Sequence, residues 1–286
     1  MSPAVVGLIL NFRDAARTLV CAQSLLREGV TEVWVWDNSA DGGASADALR
    51  AQAPDSGTLR ILESPINLGF AAGVNRALAR LRIERPGARV LLINNDAVLL
   101  PGAVAALEQA LNAHAQAWIA YPDIDHGGRV IGTVYYHRLT GLLQLQRRWL
   151  PGSFAYASGC CLLIEPRHTG DALFDERFFM YGEDIALGYR LRARPGALVH
   201  VPLCLVRHEG SASSGMATAF YESRMVAAHL LLARVLGRGP CERALLLTMR
   251  LPVLFVRALL RSLRYSSLRP WRALYEGFLI ARTASR

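Results

Sequence analysis

Short apolar runs alternate with stretches of helical periodicity along the first hundred residues. Val5–Leu10 predicts a strand, Ala15–Leu26 a helix, and Val33–Trp36 and Leu59–Glu63 two further strands. Phe70–Leu81 predicts a second helix and Val90–Ile93 a fourth strand. Strands separated by helices make βαβ units, and hence a mostly parallel sheet of α/β class. Between Ala117 and Ile164 the pattern loosens, with strand-like pieces at Val130–Tyr136 and Cys160–Ile164. A helix opens at Glu183-Asp184 and runs to about Ala193. Pro195-Gly196 is a turn, Leu198–Val201 a strand and Leu203–Val206 a second short apolar piece.

In a parallel sheet, ligands bind beyond the carboxyl ends of the strands. Every such end here is polar: Asn11-Phe12-Arg13, Asp37-Asn38-Ser39, Ser64 followed by Asn67-Leu68-Gly69-Phe70, and Asn94-Asn95-Asp96. One polar strand end is an ordinary turn or cap, but four on the same edge favour a site. A carboxylate at Asp96 suits Mg²⁺ or Mn²⁺ against phosphates, although the triplet alone reads better as a helix cap before Pro101. Glu183 and Asp184 follow Phe178, Phe179 and Tyr181, where partial desolvation raises a carboxylate pKa toward that of a general base. His208, between Arg207 and Glu209, becomes a metal ligand only if the fold brings it to Asp96.

Composition removes several alternatives. All 32 basic residues are Arg, so P-loop chemistry and Schiff-base chemistry, which need Lys, are excluded. No G-x-G-x-x-G follows a strand, which disfavours a dinucleotide-dependent oxidoreductase. Five cysteines without metal or disulfide spacing read as buried thiols of a reducing compartment. Met1–Pro3 lacks a basic leader region, so the opening reads as a strand rather than a signal.

Taken together and in order, these motifs resemble the family 2 glycosyltransferases, in particular the rhamnosyltransferase-like branch. The resemblance rests on Asn11-Phe12, Asp37-Asn38-Ser39, Asn67-Leu68-Gly69-Phe70-Ala71 with Gly73 and Asn75, Asn94-Asn95-Asp96, Phe174-Asp175-Glu176 through Glu183-Asp184, and Val206-Arg207-His208-Glu209-Gly210-Ser211. It implies a GT-A fold, Rossmann-like, with a mostly parallel sheet. It further implies Asp37 at the nucleobase beside Asn11 and Phe12, and Asn67, Gly69, Asn75, Asn94 and Asn95 around the nucleotide sugar. Asp96 and His208 then match the metal ligands for Mg²⁺ or Mn²⁺, and Asp184, with Glu183, the catalytic base. The implied activity is inverting transfer from a nucleoside-diphosphate sugar, dTDP-rhamnose or a UDP-sugar, to a glycan or polyprenyl-linked acceptor in cell-surface polysaccharide synthesis. Asn94 stands in place of the first acid of the metal motif, and Ala186 where many relatives carry a further Asp. A sugar nucleotidyltransferase, a nucleic-acid-binding protein and a non-catalytic sugar-binding relative are the competing readings.

Charge divides the chain at the same place. Residues 1–215 carry 20 Arg and 20 acids, whereas residues 216–286 carry 12 Arg and 3 acids, the whole net charge of +9. The expectation is a GT-A domain over 1–215 and a basic amphipathic helical extension over 216–286. Tyr221–Leu236 predicts a helix; beyond it Arg243, Arg250, Arg257, Arg261 and Arg264 fall within roughly 60° of helical arc. Pro252 predicts two short helices sharing a face rather than one rod. An apolar face opposite an Arg stripe fits a helix lying in the interface of an anionic membrane, placing the protein peripherally on the cytoplasmic face of the inner membrane. Packing on the catalytic domain or homodimerisation competes with this. The aliphatic residues between the arginines argue against nucleic acid, since single-strand binders stack bases on aromatics.

Overall fold

A computed structural model describes residues 3–53, 57–145, 148, 150–209 and 218–284. Met1, Gly210, Ser211 and the 215/216 boundary lie outside the described residues. The first half follows the predicted order, with β1 (Val5–Asn11), α1 (Ala15–Arg27), β2 (Glu32–Asp37), α2 (Ala44–Gln52), β3 (Leu59–Glu63), α3 (Gly69–Glu84) and β4 (Arg89–Asn94). Next come β5 (Ala97–Leu99), α4 (Ala103–Ala113), β6 (Ile119–Asp125), β7 (Val130–Ile131), β8 (Val134–His137), β9 (Leu143–Leu145), β10 (Ser153–Tyr156) and β11 (Cys161–Ile164). The chain continues through α5 (Glu183–Leu191), β12 (Leu198–His208), α6 (Ala219–Leu236), α7 (Pro240–Tyr265) and α8 (Arg269–Thr283).

The main sheet has the order β3-β2-β1-β4-β11-β6-β12-β5, with β7 paired on β6. β3, β2, β1 and β4 are mutually parallel, as are β6 and β12, while β11 and β5 run against their neighbours. Strand alternation builds a core on each face. Val5, Ile9, Val33 and Val35 pack with α1 and α4 on one side, and Val6, Leu8 and Trp34 with α3 and α5 on the other. A separate three-stranded sheet, β10-β8-β9, shares a third core with α5, α6, α7 and α8.

Four expectations need correction. The Val130–Tyr136 piece is two short strands pairing with different partners, β7 with β6 and β8 with β9 and β10. The two apolar pieces after Leu198 form one strand, bulged between Val201 and Cys204, where Pro202 is accommodated without a ladder donor. α7 runs unbroken through Pro252 over 26 residues. Finally, the middle of the Arg stripe of α7, Arg250, Arg257 and Arg261, faces inward, while Arg243 and Arg264 at its ends stay exposed. Arg250 is 0% exposed and donates to the carbonyls of Leu246 and Arg138. Arg257 Nη1 donates to Glu222 Oε2 at 2.6 Å, and Arg261 pairs with the other oxygen of the same carboxylate.

The cause is Glu222 on α6, itself 1% exposed. A buried carboxylate is tolerated only when paired, and two arginines four residues apart on one helix face supply the pair. Glu222→Ala leaves both guanidinium groups without their anion. Breaking a buried pair in this way costs about 3 kcal/mol. We expect Tm to fall by about 6–12 °C in thermal unfolding followed by circular dichroism; a fall under 2 °C would mean that the pair is dispensable.

Candidate active site

The strand ends converge on a cavity of about 460 Å³. Ten of the twelve predicted residues line it: Asn11, Phe12, Asn67, Gly69, Asn94, Asn95, Asp96, Glu183, Asp184 and His208. Asp37 and Asn75 do not. Asp37 lies behind the wall, where its Oδ1 accepts from Asn11 Nδ2 at 2.8 Å and Ser39 Oγ at 2.5 Å. Asn11 in turn accepts from Thr18 Oγ1 at 2.7 Å, so this corner is a closed polar network that fixes the ends of β1 and β2. Asn75 is buried and saturated. Its Oδ1 accepts from the amides of Leu173 and Phe174 at 3.0 Å each, and its Nδ2 donates to the Phe174 carbonyl and to Glu176.

Asn38 replaces them at the wall. Its Nδ2 donates to the Gly69 carbonyl at 2.9 Å and to Asn67 Oδ1 at 3.0 Å, and its Oδ1 accepts from the Leu68 amide. This clamp fixes the loop before α3, where Gly69 has φ +77°. A β-carbon on Gly69 would lie 2.3 Å from the Phe179 carbonyl, which accepts from the Phe70 amide at 2.6 Å. Only glycine permits that approach. It holds the 178–182 segment over the cavity, and that segment adds Phe179, Met180 and Tyr181 to the lining. Tyr181 itself takes φ +69°, an uncommon conformation for a residue other than glycine. Thr218 and Phe220 close the cavity from the start of α6. No periodicity marks these residues in the sequence; the aromatic run before Glu183 was the one signal.

Asp96 and His208 lie 112 positions apart in the chain and are joined by strand register. His208 of β12 pairs with Ala97 of β5, and the Glu209 amide donates to the Asp96 carbonyl at 3.1 Å. Both side chains are buried, with His208 Nε2 2.9 Å from Asp96 Oδ1. The other ring nitrogen of His208 lies 3.1 Å from His126 Nδ1. Burial, with His208 beside it, pushes the pKa of His126 down, which favours its neutral form. Among the described residues no cluster of three or more metal-ligating side chains forms. The two donors nevertheless fit one hard cation. Adjacent ligands each about 2.1 Å from a small cation stand about 3 Å apart, and Mg²⁺ or Mn²⁺ keeps further positions for water and phosphate.

Across the cavity, α5 opens with Glu183 and Asp184 at the helix N-terminus after Gly182, whose φ is +94°. Asp184 Oδ1 accepts from the Ile185 amide at 2.8 Å and Oδ2 from the Gly159 amide at 3.4 Å. Desolvation overrides these bonds and pushes its pKa up to about 6. Burial first, and then the charge of Asp184, pushes Glu183 well above the usual carboxylate range. The strip Ser158–Gly159–Cys160 ties the two sides together, because the Cys160 carbonyl accepts from the Asn94 amide at 2.9 Å. Ala186 is buried against α6 in the third core and faces away from the cavity, so an Asp at this position would not add a carboxylate to the site.

No protein-family model matches the chain. It is similar to the N-acetylglucosaminyl-diphospho-decaprenol L-rhamnosyltransferase of Mycobacterium tuberculosis, strains CDC 1551 / Oshkosh and ATCC 25618 / H37Rv. Identity is 28% over 221 residues, covering 67% of this chain and 71% of the relative. Among solved structures, mannosyltransferase PcManGT from Pyrobaculum calidifontis in complex with GDP-Man and Mn²⁺ superposes with a TM-score of 0.56 at 14% identity, covering 100% of this chain and 76% of that one. S. aureus TarS 1-349 gives 0.56 at 11% identity, covering 98% and 80%. Its complex with UDP gives 0.53 at 12% identity, covering 85% and 69%. The fold is therefore that of the GT-A glycosyltransferases. With the curated relative, it supports a family 2 glycosyltransferase of the rhamnosyltransferase-like kind.

The raised pKa of Asp184 has a stability consequence. Its folded value of about 6 exceeds the value near 3.9 of an exposed Asp. Ionised Asp184 therefore destabilises the fold, increasingly as pH rises from about 4 to 6 and fully above that. Asp184→Asn removes the charge while keeping an acceptor for Gly159. It should raise stability at pH 7.5 by about 1–3 kcal/mol, and the gain should vanish toward pH 4. Thermal melts of both proteins across pH check this; a gain that did not depend on pH would contradict the assigned cause.

Proposed function

We propose that the protein transfers a sugar, with inversion, from a nucleoside-diphosphate sugar to a hydroxyl of a lipid-linked glycan. The carrying observation is the facing of two chemistries across one cavity. Asp96 and His208 provide a cation-holding pair on one side, and Asp184 a partly desolvated carboxylate on the other. The donor diphosphate belongs on the first side. There Asp96 and His208 would hold Mg²⁺ or Mn²⁺, a Lewis acid that neutralises the leaving diphosphate. PcManGT carries Mn²⁺ with GDP-Man, which supports a divalent cation here. Asn11, Phe12 and Asn38 border the nucleoside; Asn67, Gly69, Asn94 and Asn95 border the sugar.

The acceptor hydroxyl reaches Asp184, which takes its proton as the oxygen attacks the anomeric carbon opposite the leaving group. A pKa near 6 leaves Asp184 ionised at neutral pH yet more basic than an exposed carboxylate. Glu183, its pKa pushed well above the usual carboxylate range by burial and by Asp184, stands beside it with its Oε2 unpartnered among the described residues. Rhamnose as the transferred sugar, and an acceptor built on diphospho-polyprenol, follow the reaction named for the mycobacterial relative, and dTDP as the carrier follows the motif resemblance. Such an acceptor places the protein peripherally at the cytoplasmic face of the inner membrane. Residues 1–215 form the catalytic unit, and 216–286 an extension packed against it.

In assays with dTDP-rhamnose and a polyprenyl-type acceptor, Asp184→Asn should lower turnover by about 10²–10⁴-fold. Donor binding in a thermal-shift panel of dTDP-, UDP- and GDP-sugars should be unchanged. For the unmodified enzyme kcat/KM should rise with pH through about 6 and then level, because the base must be ionised. Near-wild-type turnover by Asp184→Asn would refute the base assignment. Separately, Asp96→Asn and His208→Ala should each abolish the part of nucleotide-induced stabilisation that requires Mn²⁺, and retention of that part would refute the metal pair.

A further inference from the structure

The inward turn of the Arg stripe has an outward counterpart. Leu245, Phe255, Val256, Leu259, Leu260 and Leu263 of α7 are all exposed, Leu260 at 60% and Leu263 at 70%. At 100° per residue they lie within about 140° of helical arc. On α8 the exposed face carries Trp271, Tyr275, Phe278 and Leu279. The rings of Phe255 and Trp271 are 6.1 Å apart, so the two faces are continuous. No described helix is long and apolar enough to cross a membrane. A contiguous apolar face of this extent marks an interaction surface.

We propose that this face docks on a lipid bilayer bearing anionic headgroups, with the apolar side chains of α7 and α8, rather than the Arg stripe, entering the acyl boundary. Three observations select this occupant. Arg264, Arg269, Arg272 and Arg282 are exposed on the same two helices, against the single exposed acid Glu276, and this excess of positive charge complements anionic headgroups. Trp271 and Tyr275 are amphipathic rings suited to headgroup depth. A second copy docking across a two-fold axis would bring the same arginine-rich rim against itself, which like-charge repulsion opposes. The face also adjoins the cavity through the fold. α7 and α8 pack on α6, whose first residues, Thr218 and Phe220, line the cavity. Docking thereby brings the acceptor side of the site to the surface that holds a lipid-linked substrate. The proposal rests on the glycosyltransferase reading for the identity of that substrate. Membrane binding is nonetheless measured without any sugar nucleotide, so either reading can fail while the other stands.

The test is co-sedimentation of the full chain with vesicles of phosphatidylcholine, with and without phosphatidylglycerol, alongside sedimentation velocity without lipid. The protein should be monomeric, bind the mixed vesicles, and bind the neutral ones more weakly. Leu259→Glu combined with Leu263→Glu should weaken vesicle binding about a hundred-fold, with Tm and nucleotide binding unchanged because both positions are exposed. Arg269→Gln with Arg272→Gln should reduce binding to the mixed vesicles alone. Absence of wild-type binding, or unaltered binding by the leucine variant, overturns the proposal. So does a wild-type dimer that the leucine substitutions dissociate.

Discussion

The pairing of β12 with β6 on one side and β5 on the other is the constraint on which the site depends. β12 runs 11 residues, next to the short edge strand β5, and ends at His208. Its parallel register with β6 continues the mainly parallel layer, while its antiparallel register with the three-residue β5 sets His208 against Ala97. A slip of one residue would turn His208 to the other face, away from Asp96. The bulge between Val201 and Cys204 makes that register attainable, absorbing Pro202 at a point where a regular ladder would demand its missing N–H.

The opposite wall is built on different physics. Asp96 and His208 are complementary partners and satisfy each other. Glu183 and Asp184 are like groups, adjacent in sequence and placed together in a poorly solvated pocket, which stabilises neither charge. Gly69, Gly182 and the left-handed Tyr181 hold that arrangement by fixing the 178–182 segment over α3. The second wall thus consumes stability, through the desolvated charge of Asp184. The consuming wall is the one whose raised basicity suits proton abstraction.

Much of this was legible from the chain because period-two alternation and strand-end polarity are local signals. β3 carries the same limits in sequence and structure, and β1, β2 and β4 differ by one residue at an end or two. β5 was not legible: three residues between Asp96 and Pro101 offer no period to detect, yet they bring His208 to Asp96. β6 was hidden by Pro122 within the strand. Asn75 shows the limit of reading polarity as ligand contact, because its amide is consumed by the backbone at 173–174, whereas Asn38, quoted in a motif but given no role, lines the cavity. Which polar group meets ligand and which meets backbone is decided by long-range packing, and no local pattern records it.

The tail makes the same point with its sign reversed. Helical periodicity separated the Arg face of α7 from its aliphatic face, but could not say which face the fold would take. Water as the only surroundings would favour burying the leucines, at about 25 cal/mol per Å² of apolar surface removed from solvent, and leaving the arginines wet. The structure instead turns Arg250, Arg257 and Arg261 inward. Glu222 on α6 and the carbonyls of Leu246 and Arg138 meet them there, and Arg250 lies fully enclosed. Desolvating guanidinium groups offsets much of what their pairing returns. The arrangement therefore forgoes apolar burial on one side while bearing a desolvation cost on the other. An outward apolar face of this kind is what the proposed docking on a bilayer requires, because there it would meet surroundings less polar than water.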